Sequence, residues 1–203
     1  MKKIILLVLL TLAVVNSYSQ EKGRFRVGLD LGYVPASGGG GGLVSLEPKY
    51  NINDNMNVGL RLGGASVVRD LVTNDNDEYT AKVAGIGSFV GTYDYYFHKS
   101  GSGSSLAPYI GAGLGYYSLA NVEVDDSNVD SGELDPAVSG VFGGLIRGGL
   151  EWAGFRMGLE YNFLPDSDIE NLNGDIVGTA SNSYVGISIG FFVGGGKWGR
   201  KAK

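Results

Sequence analysis

Apolar and polar residues alternate along most of this chain. Residues 25–33 set Phe25, Val27, Leu29, Leu31 and Tyr33 against Arg26, Gly28, Asp30 and Gly32. Residues 44–52 set Val44, Leu46, Pro48, Tyr50 and Ile52 against Ser45, Glu47, Lys49 and Asn51. The same rule holds at 56–63, with Arg61 on the polar face, and at 155–163, where Arg156 and Glu160 are polar-face residues. A period of two sustained this long marks a strand with two unlike faces. Four glycine-richer segments, 81–97, 108–117, 141–152 and 184–193, keep the alternation and add Lys82, Asp94, Arg147 and Glu151 to the polar face. The pattern predicts eight strands, each near or above the ~9–11 residues that a tilted strand needs to cross a bilayer. Connections near 53–55, 98–105 and 153–154 are short or modest. Those at 35–43, 67–79, 119–138 and 165–182 are mostly long. An even strand count with short turns at one end and long loops at the other is the layout of an outer-membrane barrel.

The N-terminus reads as an address. Lys2 and Lys3 precede the apolar stretch Ile4 to Val15, and Ser17 and Ser19 then stand where a signal peptidase wants small residues. We read 1–19 as a cleaved signal peptide and 20–203 as the barrel domain, with strands over about 24–194 and a basic tail at 195–203. The apolar stretch is shorter than the ~20 residues of a spanning helix, and no later run reaches ~18. If the mature chain enters a membrane, it therefore does so as strands. There is no Cys, which removes a lipid anchor, disulfides and Cys-ligated metal from consideration.

The signal, the eight two-faced strands and the aromatics at strand ends resemble the small OmpA/OmpX-like outer-membrane barrels of diderm bacteria. The likeness spans residues 24–193. It implies an all-β, antiparallel, up-and-down transmembrane barrel, exported by the general secretory route to the outer membrane. The chain departs from the usual terminal aromatic: Phe191 and Phe192 are followed by VGGGKWGRKAK.

In such a barrel the apolar face meets lipid and the polar face fills the lumen. A soluble antiparallel barrel would place the two faces the other way round. Charge placement favours the membrane form. Every strand charge falls on the polar face, and turn geometry opposes them in complementary pairs. A two-residue turn at Ala153-Gly154 puts Glu151 opposite Arg156 and Arg147 opposite Glu160. A three-residue loop at 53–55 puts Glu47 opposite Arg61. We expect a structural charge network of Arg26, Asp30, Glu47, Arg61, Arg147, Glu151, Arg156 and Glu160 inside the lumen. Of 203 residues 35 are Gly, about 17% against roughly 7% on average. Lumen-side glycines leave room for long side chains. Pro48 lacks an N–H and should mark a bulge or the end of its strand. Tyr50, Tyr93, Tyr95, Phe97, Trp152 and Phe155 suit an aromatic girdle near the short turns.

Acid concentrates in the long loops. Asp70, Asp75, Asp77 and Glu78 lie in one. Glu123, Asp125, Asp126, Asp130, Glu133 and Asp135 lie in the next, and Asp166, Asp168, Glu170 and Asp175 in the last. They favour solubility of exposed loops and contact with an extracellular ligand; clustered carboxylates also suit divalent cations. The sequence DSDIE at 166–170 lacks the spacing of a calcium loop. The formal charge of −5 becomes −7 without Lys2 and Lys3, which gives nucleic-acid binding no electrostatic basis. His98 is the only His, and no nucleophile–base pair or phosphate loop is recognisable. We therefore expect no enzyme, no cofactor and no resident metal. The expected role is a monomeric, lipid-embedded scaffold with a plugged lumen and acidic outer loops. A small cation-preferring pore is the alternative.

Overall fold

The computed structural model describes residues 21–36, 40–71, 80–97, 106–123, 138–170 and 176–195. The segments read as signal peptide and as basic tail beyond Gly195 lie outside these residues. So do His98 and most of the loop acids (Asp75, Asp77, Glu78, Asp125, Asp126, Asp130, Glu133, Asp135 and Asp175).

Eight strands close into one antiparallel barrel: β1 (Phe25–Val34), β2 (Gly41–Asn53), β3 (Met56–Leu71), β4 (Thr80–Tyr96), β5 (Leu106–Glu123), β6 (Val138–Trp152), β7 (Phe155–Phe163) and β10 (Tyr184–Gly194). Each pairs with its neighbours in sequence order, and β10 returns to β1, so no edge is left open. A separate hairpin of β8 (Ser167–Glu170) and β9 (Ile176–Ala180) stands in the segment that the sequence pattern assigns to loop. Its strands have four and five residues, too short for alternation to declare them.

The faces follow the sequence parity. In β7 the burial runs outward at Phe155, Met157, Leu159, Tyr161 and Phe163, inward at Arg156, Glu160 and Asn162. Apolar side chains cover the outside: Leu114 and Phe142 are 78% exposed and Phe25 is 73% exposed. Aromatics ring the short-turn end, where Phe25 packs on Tyr50 at 4.9 Å and Tyr95 on Phe97 at 5.1 Å. A second set, including the Tyr116–Phe142 and Tyr161–Phe163 pairs, lies toward the long loops.

The turns fix the register. Ala153 and Gly154 both have positive φ, 49° and 90°, as a two-residue hairpin of right-handed twist requires. Glu151 then opposes Arg156, and Arg147 opposes Glu160. At the β2–β3 turn the expected three-residue loop is corrected. β2 runs through Asn53, and Asp54-Asn55 makes the turn, held by the Asn55 N–H on Asn53 Oδ1 at 2.9 Å. An irregularity between Asn51 and Asn53 absorbs the difference, so the pairing from Leu43–Ala65 to Asn51–Asn57 keeps the expected phase. Pro48 causes neither a bulge nor a strand end. It pairs with Val27 on β1, and the β2–β3 ladder passes over Glu47 and Pro48 with no shift of register.

β3 to β6 have 16, 17, 18 and 15 residues, longer than the sequence pattern indicated and longer than a bilayer crossing needs. Their surplus lies at the long-loop end. Asp70 and Glu123, assigned to loops from sequence, belong to β3 and β5.

Candidate functional site: the barrel interior

The interior is built in layers because successive inward residues of a strand climb the barrel axis. At the short-turn end Arg26 forms a two-pronged pair with Glu151, Nη1 to Oε2 and Nη2 to Oε1, both at 2.8 Å. The Tyr96 hydroxyl donates to Glu151 Oε1 at 2.8 Å and also contacts Arg26 Nη2. The guanidinium carbon lies 4.6 Å from the Phe192 ring centre, within cation–π range. Asn51 closes this end, donating to the carbonyls of Glu21 at 3.1 Å and Gly195 at 3.0 Å.

The middle layer is centred on Glu47 and Arg147. Arg147 reaches Glu47 with Nη2 at 2.6 Å and Nη1 at 3.1 Å, and Asp94 with Nε at 2.8 Å and Nη2 at 3.0 Å. Lys49 bridges the same two acids, 3.2 Å from Glu47 Oε2 and in closer contact with Asp94. Arg156 holds Asp30 through both Nε and Nη2 and touches Glu47 at 3.2 Å. Thr92 donates to Glu47 Oε1 at 2.6 Å, and Ser45 to Asp30 at 3.3 Å. Above, Arg61 donates to Glu160 at 2.8 Å, Asn162 to Glu160 at 2.9 Å, and Tyr117 to Asn162 at 3.0 Å.

These layers bring together all eight residues expected in the network, but not in the expected pairs. Opposition in register does not decide bonding in a narrow tube. Glu151, opposite Arg156, is held by Arg26. Arg147, opposite Glu160, holds Glu47 and Asp94. Arg61, at the β3 position that the ladder skips opposite Glu47, bonds Glu160. Long side chains cross the lumen to charges on distant strands. Lys49 and Asp94 complete the set. The sequence placed both on the polar face but gave neither a partner. Among the described lumen residues the count is even: Arg26, Lys49, Arg61, Arg147 and Arg156 against Asp30, Glu47, Asp94, Glu151 and Glu160, each at most 8% exposed.

Glycine makes this crowding fit. A Cβ on Gly111 would lie 2.0 Å from Asp94 Oδ1, and one on Gly190 2.0 Å from Asp30 Oδ1. A Cβ on Gly149 would meet the Tyr109 ring at 2.9 Å. Beside Asp30, Tyr109, Arg147, Arg156, Glu160 and Ser188 the interior leaves about 10 Å³, room for about one water.

The sequence reading missed the uppermost layer. Toward the long loops the inward positions turn apolar. Val34, Leu43, Ala65, Val67, Ile86, Val90, Leu119 and Leu145 pack with Tyr117, Tyr184 and Leu164 into a buried cluster over the charges. Leu164 is fixed there by reciprocal bonds with Ser183, its N–H to Oγ at 3.0 Å and its carbonyl from that hydroxyl at 3.1 Å. The signal was present as apolar residues of lumen parity near the strand tops. Alternation alone assigns every apolar residue to lipid.

No family model matches the sequence, and no curated protein matches it. Solved structures do. Neisserial surface protein A aligns with a TM-score of 0.52 and 18% identity, over 85% of this chain and 99% of its own. The outer membrane protein OprG from Pseudomonas aeruginosa aligns with a TM-score of 0.48 and 14% identity, over 86% of this chain and 97% of its own. The first likeness shows a shared fold.

Proposed function

We propose that this chain, having the fold of a neisserial surface protein, spans the outer membrane of a diderm bacterium as a monomeric, plugged scaffold. The observation that carries the reading is the inversion of its faces. Ten charged side chains are buried inside while Phe25, Leu114 and Phe142 stand exposed outside. Water would leave that exterior unsatisfied, whereas hydrocarbon suits it. Eight strands enclose a tube just wide enough for side chains, and here paired charges and the apolar layer fill it. In this reading the signal segment delivers the chain, and bilayer lipid surrounds the belt. The acidic long loops meet an extracellular ligand, and the protein does no enzymatic chemistry.

Conductance tests the plug. After a heat-dependent gel shift establishes folding, the refolded barrel in a planar bilayer should carry no resolvable ion current. Stable cation-selective steps would replace this reading with the small pore. Recovery of the protein in the periplasmic fraction without detergent would sink the membrane reading altogether.

A further inference from the structure

Tyr109, Gly149, Gly158 and Ser188 form one inward row across β5, β6, β7 and β10, each paired with the next. The two glycines let the tyrosine lie along that row. A Cβ on Gly149 would meet the Tyr109 ring at 2.9 Å, and one on Gly158 would lie 2.8 Å from the Tyr109 hydroxyl. The ring stacks on Tyr96 with centres 5.4 Å apart, which fixes where its hydroxyl ends. The same point in front of Gly158 is 3.3 Å from Ser188 Oγ. A small polar ligand there would reach both hydroxyls. Gly158 lines the chamber of about 10 Å³ that Asp30, Arg147, Arg156 and Glu160 also border.

We propose that this chamber binds one resident water, which ties the upper charge layer to the rest of the plug. Three polar groups around it have no hydrogen-bond partner among the described residues. Two are the hydroxyls of Tyr109 and Ser188. The third is Glu160 Oε2, because Glu160 accepts from Arg61 and Asn162 on Oε1 alone. Tyr109, Glu160 and Ser188 are 4%, 6% and 9% exposed. Buried polar groups without partners are rare and costly. A buried water makes about three hydrogen bonds, and these three groups supply them. The volume admits one water and nothing larger. Charge disfavours an ion: Arg147 and Arg156 balance Asp30 and Glu160, and each already has an opposite charge in contact. The Tyr109 hydroxyl donates to the water, and the water donates to Ser188 Oγ and Glu160 Oε2. Among the described residues no side-chain hydrogen bond joins Arg61, Glu160, Asn162 or Tyr117 to Asp30, Arg147 or Arg156. The water makes that link through Tyr109. The proposal concerns the interior alone and stands apart from the membrane reading.

The test is magnetic relaxation dispersion of the water oxygen in solutions of the refolded barrel in detergent micelles. It counts waters that leave the protein more slowly than the particle tumbles. Gly158→Ala puts a methyl where the water sits. Ser188→Val replaces one of its partners with a methyl and serves if the first variant does not fold. Gly91→Ala, outward and with 3.7 Å of clearance, is the control. A heat-dependent gel shift verifies folding of each variant. The amplitude should fall by one water in Gly158→Ala and in Ser188→Val, and stay at the wild-type level in Gly91→Ala. An equal amplitude in the wild type and a folded chamber variant overturns the proposal. So does the loss of several waters together, which would make the chamber one stretch of a continuous water column. Ion current through a wild type that still differs from Gly158→Ala by one water would overturn the plugged reading and uphold this one.

Discussion

The claim that lumen charges bond across the tube rather than along the register is open to a double-mutant cycle. Glu151 is the deciding residue, because Arg156 opposes it in the ladder while Arg26 grips it with two 2.8 Å bonds. The side chains of Arg26 and Glu151 are each 1% exposed, so solvent screens neither. Removing one partner of such a pair strands the other, which costs about 3–5 kcal/mol. Arg26→Met and Glu151→Gln should each fall in that range. The double variant should cost less than the sum by about 2–3 kcal/mol, the upper part of the span for residues in contact. The Arg156→Met/Glu151→Gln cycle should couple by less than about 1 kcal/mol, because Arg156 spends its bonds on Asp30 and Glu47. Urea titration of folding into phospholipid vesicles, read by gel shift and far-ultraviolet circular dichroism, gives each free energy by linear extrapolation. Raising NaCl from 0.1 to 1 M should leave the Arg26–Glu151 coupling unchanged, as exposed pairs would not. A larger coupling for Glu151 with Arg156 than with Arg26 would refute the cross-lumen assignment.

Three further outcomes follow. Gly111→Ala forces a methyl onto Asp94 Oδ1 at 2.0 Å and should destabilise by about 1–3 kcal/mol, whereas Gly91→Ala, with 3.7 Å of clearance, should be near neutral in the same titration. Ala153→Gly should stabilise by up to about 1 kcal/mol, since a residue with a Cβ held at φ 49° is strained there; a loss of stability would count against the turn assignment. Leu145→Ala, inside the apolar layer at 1% exposure, should cost about 2–5 kcal/mol, and an effect below 1 would mean that the layer is not packed.

What the sequence disclosed and what it withheld divide along physical lines. Parity is local, so inward and outward positions could be read wherever the two faces differ in polarity, and the 153–154 turn carried the β6–β7 register with it. Strand ends are set by pairing partners. β3 therefore continues to Leu71 because β4 meets it there, and nothing in the residues themselves says so. The lumen residues were legible as a set but not as bonds. Arg61 and Glu160 sit on β3 and β7, and only the closed circle brings those strands face to face. The apolar layer at Leu43, Val67 and Leu145 was hidden because an inward leucine and a lipid-facing one look alike in a row of letters.

The lumen bonds join residues far apart along the chain: Arg26 and Glu151 by 125 positions, Arg156 and Asp30 by 126, Arg61 and Glu160 by 99. No hairpin contains both members of any of these pairs. In the membrane-spanning barrel proposed above, a partly assembled sheet would offer the hydrocarbon its guanidinium and carboxylate groups uncompensated, at several kcal/mol apiece. Water must therefore accompany them until β10 meets β1. Circularisation, dehydration of the interior and entry into the bilayer become one kinetic event with a late and highly non-local barrier. The arrangement that fills the tube also makes a half-inserted chain the least tolerable state on the route to it.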